Sequence, residues 1–218
     1  MSGTRIISYS SRRERLLYLM QEYGAYVQGR VLDVGCDEAY LSALYRGRYC
    51  GIDKNGEADV VVDLEQGCLP FRDQEFDCVV CTDVLEHIDN LHALFEDLVR
   101  VTCRYLILSL PNCWGTAWPS IVRGRGELKQ YGLPQAPPED RHKWFFNYEQ
   151  AERFVRDQAE RLGLIVRVCE PYWGSDRLLK RLLQLVYRFD ETRRRNVFAR
   201  ALWAILERRP GGSSSQQA

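Results

Sequence analysis

No stretch of this sequence approaches the ~18 consecutive apolar residues that a membrane-crossing helix needs, so a transmembrane span is excluded. The N-terminal arginines, Arg5, Arg12, Arg13 and Arg15, are followed by no apolar core. That is not the layout of a secretory signal, and the chain is expected in the cytoplasm. An excess of charge is missing too. Lys and Arg number 30, as do Asp and Glu, giving a formal net charge of +0 and no overall case for a nucleic-acid partner. No internal repeat is present, which sets repeat arrays aside.

What remains has ordinary proportions. At 218 residues, 45% apolar and 28% charged, the chain suits one large soluble α/β domain or one domain with an elaboration. Charge is unevenly placed. Acids outnumber bases by roughly three to one over residues 31–100, whereas bases dominate residues 171–210. The basic third is able to meet an anionic partner, although a solvated surface explains it as simply. Eight cysteines are many. Cys78-Val-Val-Cys81 has the spacing of a redox or zinc pair, but it lies in an apolar run that reads as a strand, where positions i and i+3 face opposite ways. The others are scattered singly among apolar neighbours. All are expected to be reduced and buried, and no metal ligand set is expected.

Periodicity supplies the elements. A leading amphipathic helix is predicted over residues 11–26, and strands over 30–34, 49–52, 59–62, 76–81 and 105–110, with helices near 38–45 and 90–101 between them. Strands alternating with helices imply right-handed crossovers and a doubly wound, mostly parallel sheet with helices on both faces. Residues 112–141 break the rhythm with Gly, Pro and Trp, and a connection that long reads as a lid or binding segment. A helix over 148–162 follows, capped by Asn147 and stopped by Gly163. A strand over 164–169 comes next, then a basic helix over 175–189 carrying Arg177, Lys180, Arg181 and Arg188. Residues 198–206 are expected to pair antiparallel at the sheet edge, and 211–218 to form a disordered tail. The implied organisation is an N-terminal helical segment (1–28) and one domain (29–210), with a lid or acceptor-site insertion at 112–146 and a basic amphipathic helix at 175–190.

The most informative stretch is Val31-Leu-Asp-Val-Gly-Cys-Asp-Glu-Ala-Tyr-Leu41. An apolar strand carrying one acid, Asp33, runs into Gly35 and then into a helical pattern, the strand, turn and helix start of a nucleotide-binding α/β fold. Eighteen residues after Gly35, Asp53 ends a second apolar run, where a carboxylate can accept from both hydroxyls of a ribose. With Asp59-Val-Val-Val-Asp63-Leu64-Glu65, Leu69-Pro-Phe71 and Phe76-Asp-Cys-Val-Val-Cys-Thr82-Asp83-Val-Leu-Glu86-His87-Ile88, the chain resembles the class I S-adenosylmethionine-dependent methyltransferases, in particular the small "type 11" group. The resemblance runs motif by motif over residues 29–110, and segments after 131 are similar to uncharacterised members.

The resemblance implies S-adenosylmethionine as cofactor and methyl transfer to a small molecule. Asp33 and Gly35 would form the first turn, with backbone amides near the methionine carboxylate and Asp33 orienting the amino end. Asp53 would bind the ribose. Asp63 would accept from the adenine amino group, with the Leu64 amide facing a ring nitrogen. Thr82 and Asp83 would border the methionine and the sulfonium. His87 sits where an imidazole can take a proton from an acceptor, or serve structure alone. His142 is placed to hold an anionic group or line the pocket mouth, and Trp114, Trp118, Trp144, Phe145 and Phe146 to build an apolar acceptor pocket or a lid.

The family's first motif has three glycines; here the second and third are Asp37 and Ala39. Ala39 is expected to be helical and so cost little. Asp37 tolerates unusual backbone angles, and its carboxylate is expected to be held by backbone amides. Two other classes stay open at this point. One is a non-catalytic partner protein that keeps the fold. The other is an enzyme making peripheral membrane contact through the basic helix, acting on a lipid or lipid-linked glycan.

Overall fold

The computed structural model describes residues 9–54, 57–128, 130–136, 138, 141–174 and 189–209. Seven strands form one sheet: β1 (Arg30–Val34), β2 (Arg48–Asp53), β3 (Val60–Val61), β4 (Phe76–Thr82), β5 (Thr102–Pro111), β6 (Leu164–Tyr172) and β7 (Ala201–Arg208). Their spatial order is β3-β2-β1-β4-β5-β7-β6. The first five pair in parallel, while β7 runs antiparallel to both β5 and β6. The helices are α1 (Arg12–Tyr23), α2 (Tyr40–Leu44), α3 (Leu91–Val101), α4 (Cys113–Arg123), α5 (Tyr148–Arg161) and α6 (Glu191–Phe198), with 3₁₀ turns at Gly24–Tyr26 and Leu85–His87. This is the doubly wound, mostly parallel sheet that the alternation of strands and helices predicts.

The period of two in the strands divides the core into two clusters, one on each face. Val31, Cys78, Val80, Ile107 and Trp203 pack with Leu16 and Leu19 of α1 and Leu41 of α2. Leu32, Val34, Val79, Cys81 and Leu106 pack with Leu94 and Leu98 of α3 and Val155 of α5. Each fully buried Leu or Val contributes about 1.5–3 kcal/mol. Cys78 and Cys81 fall in different clusters, as their spacing requires, and both are free thiols. Burial pushes the Cys81 thiol well above its ordinary pKa.

Local chemistry sets the helix ends. Ser11 and Glu14 form a capping box at the start of α1, and Asn147 with Gln150 does the same for α5, whose exit is followed by Gly163 at φ +69°. Two elements differ from expectation. Residues 112–141 begin with the helix α4 despite Gly115 and Pro119. Pro119 cannot donate to the Gly115 carbonyl, which weakens the helical signal. Gly115 is there for packing, since a Cβ would lie 2.5 Å from the Ala199 carbonyl oxygen. The last strand is antiparallel as expected, but it starts at Ala201 and sits one place in from the edge, with β6 outermost. Seven of its eight residues are buried, whereas most of β6 is only half-buried, so burial assigns the inner place to β7. The basic helix expected at 175–189 and the tail at 211–218 lie outside the described residues, apart from the exposed Phe189.

Candidate active site

The site residues gather where β1, β2 and β4 end. The turn after β1 holds three left-handed residues in alternation: Gly35 (φ +71°), Asp37 (φ +51°) and Ala39 (φ +49°). Gly35 admits no side chain, because a Cβ would lie 2.6 Å from Val84 Cγ2. Ala39 is not helical as expected; it stands ahead of a five-residue helix that begins only at Tyr40. A left-handed alanine is strained by about 1–2 kcal/mol, so the substitution for glycine is not cheap. The Asp37 carboxylate also differs from expectation. The Arg12 guanidinium meets it at 3.3 Å, in place of backbone amides.

The turn is tied to β2. The amides of Gly35 and Cys36 both donate to the Ile52 carbonyl, at 2.8 and 3.0 Å, and the Asp37 amide donates to Asp53 Oδ2 at 3.0 Å. The Gly35 amide is therefore engaged within the fold, and Asp53 anchors the turn as well as ending its strand. Asp33 is buried on β1 and accepts from the Tyr49 hydroxyl at 3.0 Å. Burial pushes its carboxyl up to about 7, opposed by the Tyr49 hydrogen bond and by Arg12 and Arg15. Asp63 is exposed and closes its own turn, accepting from the Glu65 amide at 3.0 Å and the Gln66 side chain at 2.7 Å. Leu64 is half-buried against the core.

Beyond β4, Thr82 is buried and Asp83 turns left-handed at φ +51°. Asp83 bonds the Ser109 hydroxyl and pairs with Arg15 at 2.5 Å, and Arg15 also donates to the Thr82 carbonyl at 3.2 Å. Arg12 donates to the Gly35 carbonyl at 3.1 Å. Arg12 and Arg15, three apart on one face of α1, thus reach the ends of β1 and β4 respectively. Sequence reasoning missed them, and their i, i+3 spacing was the available signal.

The 3₁₀ turn after Asp83 carries Glu86 and His87. The Glu86 carbonyl accepts from the Lys143 amide at 2.8 Å, so the segment around His142 docks onto this turn. The two imidazole rings stand edge to face, with centroids 4.6 Å apart. His87 Nδ1 contacts the Arg141 carbonyl at 3.0 Å, and His142 Nδ1 contacts the Tyr131 hydroxyl at 2.6 Å. A cavity of about 530 Å³ opens here, lined by Arg12, Arg15, Asp83, Glu86, His87 and His142 among others. Of the aromatics expected to act together, Trp144 and Phe146 line a separate apolar hollow of about 160 Å³. Trp144 Nε1 donates to the Ile88 carbonyl, Trp118 packs on Phe198 and Phe145 on Tyr131. They do not converge on one pocket.

A strand-end acid on β1, another on β2 and a glycine turn that excludes any Cβ suit a cationic, ribose-bearing cofactor. Residues 8–164 match the methyltransferase-domain family, and the chain belongs to it. It is similar to a curated protein of Rhodopirellula baltica, the bifunctional methionine biosynthesis protein MetXA/MetW, with 27% identity over 67% of this chain. The chain spans about a quarter of that protein's length, 26%. Among solved structures, an S-adenosylmethionine-dependent methyltransferase from Archaeoglobus fulgidus shares the fold at a TM-score of 0.62 and 19% identity, covering 91% of this chain and 95% of that one. Magnesium protoporphyrin IX methyltransferase from Synechocystis PCC 6803, solved with bound S-adenosylhomocysteine, shares it at 0.55 and 19%, covering 90% and 83%.

Proposed function

We propose that this chain is an S-adenosylmethionine-dependent methyltransferase acting on a small-molecule acceptor, which enters the cavity that α1 shares with Gln130 and His142. The observation that carries this reading is the cavity itself. Its volume, about 530 Å³, lies in the roughly 300–1,000 Å³ range of small-ligand pockets. Balanced charge argues against a polyanionic substrate. No described helix is long and apolar enough to cross a membrane, and we place the enzyme in the cytoplasm.

When bound, the cofactor supplies a methyl carbon already activated by its sulfonium, so the chain's own task is alignment and exclusion of water. Asp53 accepts the ribose hydroxyls and Asp33 the amino group, while Asp63 and the Leu64 amide meet the adenine. Thr82 and Asp83 border the methionine portion, and the Arg15 ion pair fixes Asp83 in place. Asp37 keeps the turn open for the cofactor because Arg12 draws its carboxylate aside. His87 and His142 line the cavity on the acceptor's side, where they assist the loss of its proton. Thr116, Gln130 and His142, from the insertion after β5, form the acceptor-side wall.

The test is a turnover screen that reads S-adenosylhomocysteine release with small-molecule, RNA and protein acceptors in parallel. Turnover on a small molecule, reduced about 10²- to 10⁴-fold by His87→Ala, is expected. Turnover on RNA or protein alone overturns the reading.

A further inference from the structure

Methyl transfer by alignment requires no more than one group to handle a proton, yet three ligand-type side chains meet at one point of the cavity. A donor atom from each of Glu86, His87 and His142 lies within 4.8 Å of the other two. Glu86 is buried and the histidines are half-buried. The three come from two chain segments held together by backbone: the Leu85–His87 turn and the loop docked on the Glu86 carbonyl.

The outer contacts are those a metal centre uses. A metal-ligating histidine holds its second ring nitrogen against a carbonyl, carboxylate or other polar oxygen, which fixes the tautomer and the ring plane. Here His87 Nδ1 is 3.0 Å from the Arg141 carbonyl and His142 Nδ1 is 2.6 Å from the Tyr131 hydroxyl. That arrangement turns Nε2 of each ring into the coordinating atom. His87 Nε2 lies 3.7 Å from Glu86 Oε1. Donors bound to one cation at ~2.1 Å stand about 3–3.4 Å apart, so small side-chain movements close the set.

We propose that Glu86, His87 and His142 bind one divalent transition-metal cation, and that this cation receives an oxygen of the acceptor. Two imidazoles and one carboxylate favour Zn²⁺, Co²⁺, Fe²⁺ or Mn²⁺ over Mg²⁺ or Ca²⁺, which prefer all-oxygen sets. Three protein ligands leave positions open for substrate. The acceptor is then a hydroxyl compound whose O–H is acidified on coordination, as metal-bound water is. In the transfer, the coordinated hydroxyl gives its proton to water in the open cavity. Its oxygen lone pair forms the O–CH₃ bond, and the C–S bond of the cofactor breaks with its electron pair going to sulfur. The acceptor half of this inference rests on the small-molecule reading above; the metal half does not.

The test uses the whole chain, stripped of metal with a chelator and titrated calorimetrically with Co²⁺ and separately with Mn²⁺, no acceptor being present. One equivalent of Co²⁺ should bind, and His87→Ala and His142→Ala should each weaken it at least tenfold. Tyr131→Phe leaves all three ligands in place and should still weaken it by roughly ten- to a hundredfold, as loss of an outer contact does. S-adenosylhomocysteine affinity should stay unchanged in all three, which shows that they are folded. The absence of saturable binding overturns the site, and so does binding indifferent to both His142→Ala and Tyr131→Phe. If Co²⁺ binds as described but only RNA or protein is methylated, the metal site stands and the small-molecule reading falls. If small molecules are methylated and no metal binds, the reverse holds.

Discussion

Arg15 on the first helix and Asp83 beyond β4 form an ion pair, Nη1 to Oδ2 at 2.5 Å, with side chains only 11% and 21% exposed. The pair fastens α1 across the cofactor end of the sheet. It also holds a left-handed aspartate whose second oxygen bonds the Ser109 hydroxyl.

Arg15→Met should therefore destabilise the fold through the carboxylate it strands. Breaking a buried pair costs about 3–5 kcal/mol, and partial exposure brings this to roughly 2–4 kcal/mol. Adding Asp83→Asn should recover part of the loss. Denaturant unfolding of the two single variants and the double variant checks the coupling, and strictly additive losses would refute it.

Asp53→Ala should weaken S-adenosylhomocysteine binding without unfolding the chain. Losing charge-assisted bonds to two hydroxyls costs roughly 1.5–3 kcal/mol, about 10- to 150-fold in Kd. Because Asp53 also accepts the Asp37 amide, Asp53→Asn is the cleaner variant. It keeps an acceptor for the turn and loses the charge. Calorimetry showing unchanged affinity for both variants would remove Asp53 from the ribose.

Ala39→Gly separates the two conformations possible at that position. In a helix the change costs about 1 kcal/mol. At the observed φ of +49° it relieves strain, and the added freedom of the unfolded chain offsets part of the gain. A stabilisation of about 0–1 kcal/mol is expected in thermal or urea unfolding. A clear destabilisation would place Ala39 in the helix after all.

Asp33 should couple cofactor binding to pH. Its folded pKa, about 7, exceeds the unfolded value of about 3.9. The folded chain therefore binds the extra proton between these values, and this group's contribution to stability falls as pH rises through that window. A cationic amino group beside Asp33 favours the ionised form, so binding expels the proton. Affinity for S-adenosylhomocysteine should rise roughly eightfold from pH 6 to 7.5, in line with the ionised fraction. Asp33→Asn should flatten both dependences, and an equally steep profile in that variant would assign the proton elsewhere.

Much of the scaffold was legible because its signals are local. Asn147 and Gly163 mark the ends of α5, apolar runs mark β1 and β4, and the opposite faces of Cys78 and Cys81 follow from strand geometry. What escaped depends on tertiary contact. Gly115 and Pro119 argue against a helix until Ala199 is seen packed on Gly115. The place of β7 inside β6 follows from burial that no single strand declares. Ala39 reads as a helix former, yet the turn anchored to Ile52 holds it left-handed. In the candidate site, the acids were readable from their strand ends. Arg12, Arg15 and Tyr131 were not, because their partners lie 23, 68 and 11 positions away along the chain.

The indole of Trp203, on the penultimate strand of the sheet, donates to the hydroxyl of Tyr9 across 194 positions of sequence. Around it Tyr18 and Tyr23 of α1 pack their rings. The first helix is therefore seated partly on a strand nearly the whole described length away, a pairing of high sequence separation that is expected to form late in folding. Arg12 and Arg15 ride on that helix, so loosening β7 is expected to reach the ends of β1 and β4 through α1, although neither arginine touches β7 itself.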